Sequence, residues 1–424
     1  MIALLPGCAE PPRGVIVWHA YRGGEQRAVE AIAKKFEAER GVRVTLLAVP
    51  YEAYLSKLEA AIPRGNGPDV FLGPHNRLGE YRKNSIVAEA GDAFPDEDVA
   101  RYEPVTIDAV SEDGKRWAVP LASKCPALYV NTDLVPEPPS TLEDIERLRA
   151  TMPASDYPLV YEAYVTYYHA AILHAYGGRV FENGTFAMSG RAAEQSLEKA
   201  RELAQRRIIP AEPSGDLVKQ MFANGKAATA VSGPWLAPDL PATLHYRVVP
   251  LPEIAGVGKM RPFLTVEGAF VTPQGAASRD ARAFARRLGD RDAAEIRASV
   301  GKQVVATSAY WEHADDPLLA AFHEASASAI PMPTAQEMQS AWVPIDQALK
   351  KVLTAGVSPH DALAEAKARY EDFVKPPPPA PSAAPLAALA GVALLALAFF
   401  AVRRVRAPGF RRELRESMPA YKYV

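Results

Sequence analysis

The chain of 424 residues has room for two or three domains, and with 48% hydrophobic and 23% charged residues it is composed like a globular protein. Its 48 Lys+Arg against 50 Asp+Glu leave a net charge of −2, without the basic surplus that draws a protein onto nucleic-acid phosphates. Two cysteines, Cys8 and Cys125, build neither a disulfide framework nor a cysteine-rich metal site, so collagen, coiled coil, disulfide miniprotein and polytopic membrane protein are all excluded.

The N-terminal segment, residues 1–14, holds Leu5-Pro6-Gly7-Cys8, which resembles the bacterial lipobox and makes Cys8 a candidate for lipidation. Only seven residues precede it, where a secretory leader needs about 15–30. Either the leader begins upstream or Cys8 stands there by chance. Val15–Trp18 then reads as a short buried strand. A helix is expected over 25–40, with Val29, Ile32, Ala33 and Phe36 on one face and Gly41 as its stop. Residues 42–49 read as a second strand, 51–62 as a second helix and 69–72 as a third strand after the turn Arg64-Gly-Asn-Gly-Pro68. Further along, 127–130 reads as a strand and 195–205, 281–288 and 359–374 as helices. Strands alternating with helices predict an α/β class with a parallel sheet. A continuous body of this length exceeds one ordinary core, so two lobes are expected.

The last fifty residues carry a different signal. The stretch 386–402, LAALAGVALLALAFFAV, has no polar residue, and with Ala383, Ala384 and Pro385 it reaches the ~20 apolar residues that cross a bilayer. Arg403, Arg404, Arg406, Arg411, Arg412 and Arg415 crowd behind it, which marks 403–424 as a cytoplasmic tail and places everything before Pro376 outside. Residues 376–385 form a Pro-rich linker, a semi-rigid spacer between body and span.

No GxSxG elbow, HExxH, GxxxxGK[ST] or CxxC occurs, and Gly256-Val-Gly258-Lys259 reads as a plain loop. His169 and His174 stand five apart, off a common helical face, and are expected at the core edge or surface. Asp69, Glu80 and Glu267 offer carboxylates for a hydrolase, but nothing in the sequence brings them together. The chain is read as no enzyme, with no cofactor and no metal. Aromatic and hydrogen-bonding residues instead gather beside turns: Trp18 and His19, Asn76 and Arg77, the tyrosines 161, 164, 167 and 168, Trp235, and Trp342 at a loop-like position. Ligands of open α/β sheets sit beyond the carboxyl ends of strands, and aromatic faces stack on sugar rings while polar groups meet the hydroxyls. A ligand cleft is expected there.

Four stretches carry a resemblance: Gly67 to Tyr81 (GPDVFLGPHNRLGEY), AVPLA 118–122 followed by LYVNTD 128–133, GKAATAVSGPW 225–235, and Met332-Pro-Thr with MQSAW 338–342. Together, and in order from Val15 to Val374, they are similar to the maltose/maltodextrin-binding proteins, the extracytoplasmic sugar receptors of ABC importers. The resemblance implies a two-lobed periplasmic-binding-protein fold with a hinge cleft. The crossings fall near Leu121–Ala122, Pro262–Thr265 and Tyr310–Asp315, so that lobe I is 15–121 with 265–315 and lobe II 122–264 with 316–375. It implies ligand contacts at Trp18, His19, Arg22, Asn76, Arg77, Lys124, Glu162, Tyr164, Trp235 and Trp342. It also implies an oligosaccharide ligand, an ABC permease and its ATPase as partners, and a place at the bacterial plasma membrane with the lobes extracytoplasmic. Two departures stand out: Gly73 where the family has a stacking Trp, and Lys124 where it commonly has an acid, which widens the expected ligand to acidic or differently linked saccharides. The tail 410–424 resembles the stretch leading into sugar-permease spans, so a receptor–permease fusion is an alternative, as is a membrane-anchored sensor; a glycosidase ranks third.

Overall fold

In a computed structural model, residues 14–182, 184–335, 337–375 and 384–406 are described. The first third folds as the periodicity predicts. Strand β1 (Val15–His19) lies between β2 (Val44–Ala48) and β3 (Val70–Pro74), parallel to both, with Val15 opposite Val44 and Val17 opposite Val70. The intervening helix Gly23–Arg40 buries Ala28, Val29, Ile32, Ala33 and Phe36 and ends where Gly41 takes φ 66°, a left-handed position that costs glycine nothing. Each large aliphatic side chain so buried contributes roughly 2 kcal/mol. Phe36 meets Phe284 edge-on at 5.1 Å, which ties this helix to the helix Arg279–Leu288.

Three later strands complete that sheet: β4 (Ala118–Lys124), β9 (Phe263–Val271) and β10 (Val304–Val305). The order is β10-β4-β9-β3-β1-β2, and β11 (Ile330–Pro331) joins the start of β9 as the seventh strand. β9 runs antiparallel to both β3 and β4. Its register against β4 slips between Glu267 and Gly268, where Gly268 faces Pro120. Proline has no N–H for the ladder, so a bulge at this point is its natural accommodation. A second sheet holds β5 (Ala127–Asn131), β6 (Tyr157–Val160), β7 (Ala227–Ser232) and β8 (Tyr246–Val249) in the order β8-β5-β7-β6, mostly antiparallel. These are the two lobes of the expected α/β fold.

β4 runs unbroken through Leu121 and Ala122, where a crossing was expected. The first sheet ends at Lys124 and the second begins at Ala127, so the chain passes between them at Cys125–Pro126. Proline again ends the pairing. Near the third expected crossing, Asp316 caps the helix Pro317–Ala327 by accepting from the Leu318 and Leu319 amides at 3.0 and 3.2 Å. Phe322 of that helix stands 6.0 Å from Tyr129 on β5.

Other expectations shift in detail. Trp342 is on the helix Met338–Thr354, not a loop, and its ring meets Phe263 edge-on at 6.4 Å. His169 and His174 lie inside the helix Thr166–Ala175 and are fully in the core. Gly258–Lys259, expected in a plain loop, instead pairs with Glu253–Ile254 as one arm of a small hairpin. Separately from this body, Ala384–Arg406 is one 23-residue helix, about 34 Å long at 1.5 Å per residue, enough for a bilayer core of about 30 Å. Its large apolar side chains from Leu389 to Val405 are exposed, and Ala388–Arg406 is the one helix among the described residues apolar and long enough to span. Arg403, Arg404 and Arg406 continue that helix.

Candidate functional site

Two adjoining cavities open where the first sheet ends, and they share Glu25 and Lys124. The larger, about 320 Å³, is walled by Arg22, Glu25, Lys124, Trp235, Lys302 and Gln303. The smaller, about 120 Å³, is walled by Tyr21, Tyr51, Gly73 and Glu267 besides the shared pair. The larger one falls at the lower end of the size range for ligand pockets. Three roomier depressions lie elsewhere, about 350, 510 and 560 Å³, and in the two largest much of the charged lining is engaged in ion pairs of its own. Lys35 pairs with Asp292 at 2.7 Å and Arg287 with Asp290 at 2.6 Å in one, while Arg82 pairs with Glu112 and Asp113 in the other.

The polar wall is assembled from four distant parts of the chain. Lys124, last residue of β4, has its ammonium 3.1 Å from Glu25 in the first turn of the helix Gly23–Arg40 and 3.7 Å from Glu267 on β9. Gln303 donates to Glu25 at 3.2 Å and accepts from the Arg297 guanidinium at 3.2 Å. Arg297 is wholly buried and donates again to the Leu288 carbonyl at 3.3 Å. Burial works against the charge on Lys124, but the Glu267 and Glu25 carboxylates together outweigh it and hold its pKa above the ordinary lysine value. Burial pushes the Glu267 carboxyl up, with Lys124 pulling the other way. Two cations against two carboxylates make the cluster electrically closed, the condition under which buried charge is tolerated.

The aromatic wall is local. Trp235, on the turn Pro234–Asp239 after β7, is 46% exposed and has its ring 6.3 Å from Tyr167. Tyr168 has Glu162, Ser232 and Trp235 as polar neighbours, and burial raises its pKa. Burial raises the Glu162 pKa, with Tyr168 opposing and Asp216 adding to it. Tyr164 donates its hydroxyl to the Ala211 carbonyl.

Of the residues expected at the ligand, the fold brings Arg22, Lys124 and Trp235 to one cavity, with Glu162 linked to Trp235 through Tyr168. The others border neither cavity. Trp18 is 6% exposed in the core of β1, its carbonyl accepting from Tyr54 and its ring under the Lys57 ammonium at 5.1 Å. His19 is buried beside it and accepts from the Tyr21 amide at 3.2 Å. Asn76 and Arg77 occupy a single turn, with Arg77 paired to Glu80 at 2.9 Å. Trp342 packs half-buried on its helix. Cys8 lies outside the described residues. The three carboxylates weighed for hydrolysis are separately committed: Asp69 to the Ile16 amide and Gln274, Glu80 to Arg77, Glu267 to Lys124. Among the described residues no group of three or more His, Cys, Asp or Glu side chains is arranged to hold a metal ion.

Residue types alone pass over Tyr21, Glu25, Tyr51 and Gln303. A signal for two of them exists: Tyr21 and Tyr51 each follow the carboxyl end of a parallel strand, where ligands of such sheets bind. At Gly73 a Cβ would stand 3.0 Å from the Tyr81 hydroxyl, tighter than ordinary contact. Tyr51, 60% exposed, offers the nearest aromatic face instead.

The sequence matches the bacterial extracellular solute-binding protein family over residues 31–316, and the chain belongs to that family. A galactooligosaccharide-binding protein of Bacillus subtilis is 25% identical over 83% of this chain and 87% of its own length. A maltooligosaccharide ABC transporter solute-binding lipoprotein of Streptococcus pneumoniae is 26% identical over the same shares. Among solved structures, a cyclo/maltodextrin-binding protein complexed with maltotetraose shares the fold at a TM-score of 0.80, with 23% identity, covering 87% of this chain and 99% of the other.

Proposed function

We propose that the chain is a non-enzymatic receptor for neutral or weakly polar oligosaccharides of the maltodextrin type, tethered to the membrane, that closes on its ligand and delivers it to an ABC permease and its ATPase. The observation that carries the reading is the juxtaposition of an exposed Trp235 face with Arg22, Glu25 and Lys124 around one cavity at the chain's passage between sheets. An aromatic face takes the C–H side of a sugar ring and the charged groups take its hydroxyls. The names of the relatives, one for galacto- and one for maltooligosaccharides, support the ligand class and leave the sugar open.

In this reading lobe I is 15–121 with 265–315, lobe II is 122–264 with 316–375, the paired starts of β9 and β11 lie where the chain crosses between the lobes, and the cleft lies between them. The helix Ala384–Arg406 anchors the receptor with its arginines on the cytoplasmic side and the lobes outside. Lipid on Cys8 would be a second anchor; the word lipoprotein in a relative's name supports it. The test uses the full chain in detergent. Maltotriose or a galactooligosaccharide should change intrinsic tryptophan fluorescence saturably at micromolar concentration or below (about −8 kcal/mol or better). A flat response to both, in folded protein, would sink the receptor reading. For the anchor, a reporter active only in the cytoplasm should work after Val424 and fail after Lys375; the reverse would put the cleft inside the cell.

A further inference from the structure

We propose that Glu25, Lys124 and Glu267 form a specificity-determining subsite that takes neighbouring hydroxyls of a neutral sugar ring and rejects a carboxylate. This deepens the receptor reading and rests on it.

A lone lysine at this place would favour an acidic saccharide. The surroundings of Lys124 reverse that expectation. Its charge is already met by Glu25 at 3.1 Å and Glu267 at 3.7 Å, and behind them Arg297 donates to Gln303, which in turn donates to Glu25. A ligand carboxylate arriving here would meet two acids as well as one ammonium. It would lose its water without gaining an unpaired cation. Lys302, on the rim of the larger cavity, is held by Asp316 at 3.0 Å. Arg22, also on that rim, is solvent-exposed, where an ion pair is weak.

A neutral diol fits better. Both protein hydrogen bonds to Glu25, from Lys124 and Gln303, land on Oε1, which leaves Oε2 open among the described residues. The 3.7 Å separation of Lys124 from Glu267 is too long for a hydrogen bond, so both groups retain capacity there. An ammonium has three donors and a carboxylate about four acceptor positions. The row Glu25–Lys124–Glu267 therefore alternates acceptor, donor, acceptor. Adjacent sugar hydroxyls match it, because each accepts one hydrogen bond and donates another. Both cavities share Glu25 and Lys124, and Glu267 closes the smaller one, so a ring seated on Trp235 would have this row at its edge.

The test compares calorimetric affinities of the full chain in detergent for maltotriose and for the same trisaccharide with its terminal ring oxidised to a C6 carboxylate. The wild type should prefer maltotriose by roughly tenfold or more, the scale of a charge-assisted hydrogen bond lost or opposed. Glu25→Gln with Glu267→Gln should weaken maltotriose and shrink that preference at least severalfold, since Lys124 is then unpaired. Lys124→Gln should move the other way, discriminating more strongly against the acid. Opposite shifts in two variants separate specificity from general damage to the fold. A preference unchanged in both, with maltotriose affinity intact, would reduce the row to a structural clamp and overturn the proposal. If the wild type bound neither trisaccharide nor a galactooligosaccharide, the receptor reading would fail first, and this inference with it.

Discussion

The two walls of the candidate cleft are built in opposite ways. The aromatic wall presents Trp235 to the cavity, backed by Tyr167 from the stretch 161–168, so its rings come from two short segments. The charged wall draws single residues from positions 25, 124, 267, 297 and 303, cross-linked by ion pairs and hydrogen bonds that no local pattern announces. The first wall holds its shape through helix and turn geometry; the second holds it through charge balance. Each should therefore fail under a different stress.

Acid acts most strongly, on the scaffold behind the walls. His75, at the foot of the first sheet, accepts from the Val266 amide at 2.9 Å, so its other nitrogen donates to the Met332 carbonyl at 3.1 Å. Behind the aromatic wall, His174 donates to the Arg261 carbonyl at 2.6 Å, and His169 lies against the Ser196 hydroxyl at 3.1 Å. Burial lowers all three, to about 4 for His75 and His174 and about 3 for His169, from an ordinary 6.5. Between those values the unfolded chain binds protons that the folded chain refuses. Stability should thus be full above pH 6.5, fall as the pH drops toward 4, and level off below the folded pKa values. His75 and His174 are each expected to contribute about 3 kcal/mol to that loss, and His169, whose share is complete only near pH 3, about 5 kcal/mol. Urea denaturation at several pH values measures it, and His75→Asn should flatten the slope by its share. An unchanged slope would remove His75 from the account.

A smaller effect is expected at the charged wall alone. Arg297→Met leaves the Leu288 carbonyl and the Gln303 amide oxygen without their buried donor, at a cost of about 2–3 kcal/mol. The same measurement at neutral pH checks it. A loss under ~1 kcal/mol would mean that the wall stands without its innermost cation.

The aromatic wall gives the smallest free-energy change and the most specific one. Trp235→Ala should weaken oligosaccharide binding by roughly 1–3 kcal/mol while barely moving stability, because that ring is half exposed. Trp342→Ala should do the reverse, since its ring packs on Phe263 and the Met338–Thr354 helix belongs to the core. Titration and thermal melting of both variants would sharpen the contrast; equal losses of affinity would place Trp342 in the cleft after all.

The same contrast runs through what was legible beforehand. The parallel start of the first sheet follows from alternating apolar runs, because β1, its helix and β2 are neighbours in the chain and their periodicity is a local property. The crossing expected near Leu121–Ala122 falls on β4 shortly before its pairing stops at Lys124; where the pairing stops is decided by hydrogen-bonded partners, which an apolar run does not show. Trp342 was expected on a loop, and Met338–Thr354 is helical despite its internal Pro344, an override of propensity by packing.

By itself, the sequence determined the α/β class, the apolar 386–402 segment with its trailing arginines, and the presence of an aromatic cluster, since composition and periodicity are enough for each. Only the tertiary structure decided which aromatic residues line a cavity and which fill the core. Trp18 and Trp235 are the same residue type beside strands, yet one is buried under Lys57 and the other half exposed. It also decided the meaning of Lys124. A lysine's charge is a property of the sequence, but whether that charge is free to meet a ligand depends on two carboxylates, 99 residues before it and 143 after, that only the fold brings within 4 Å.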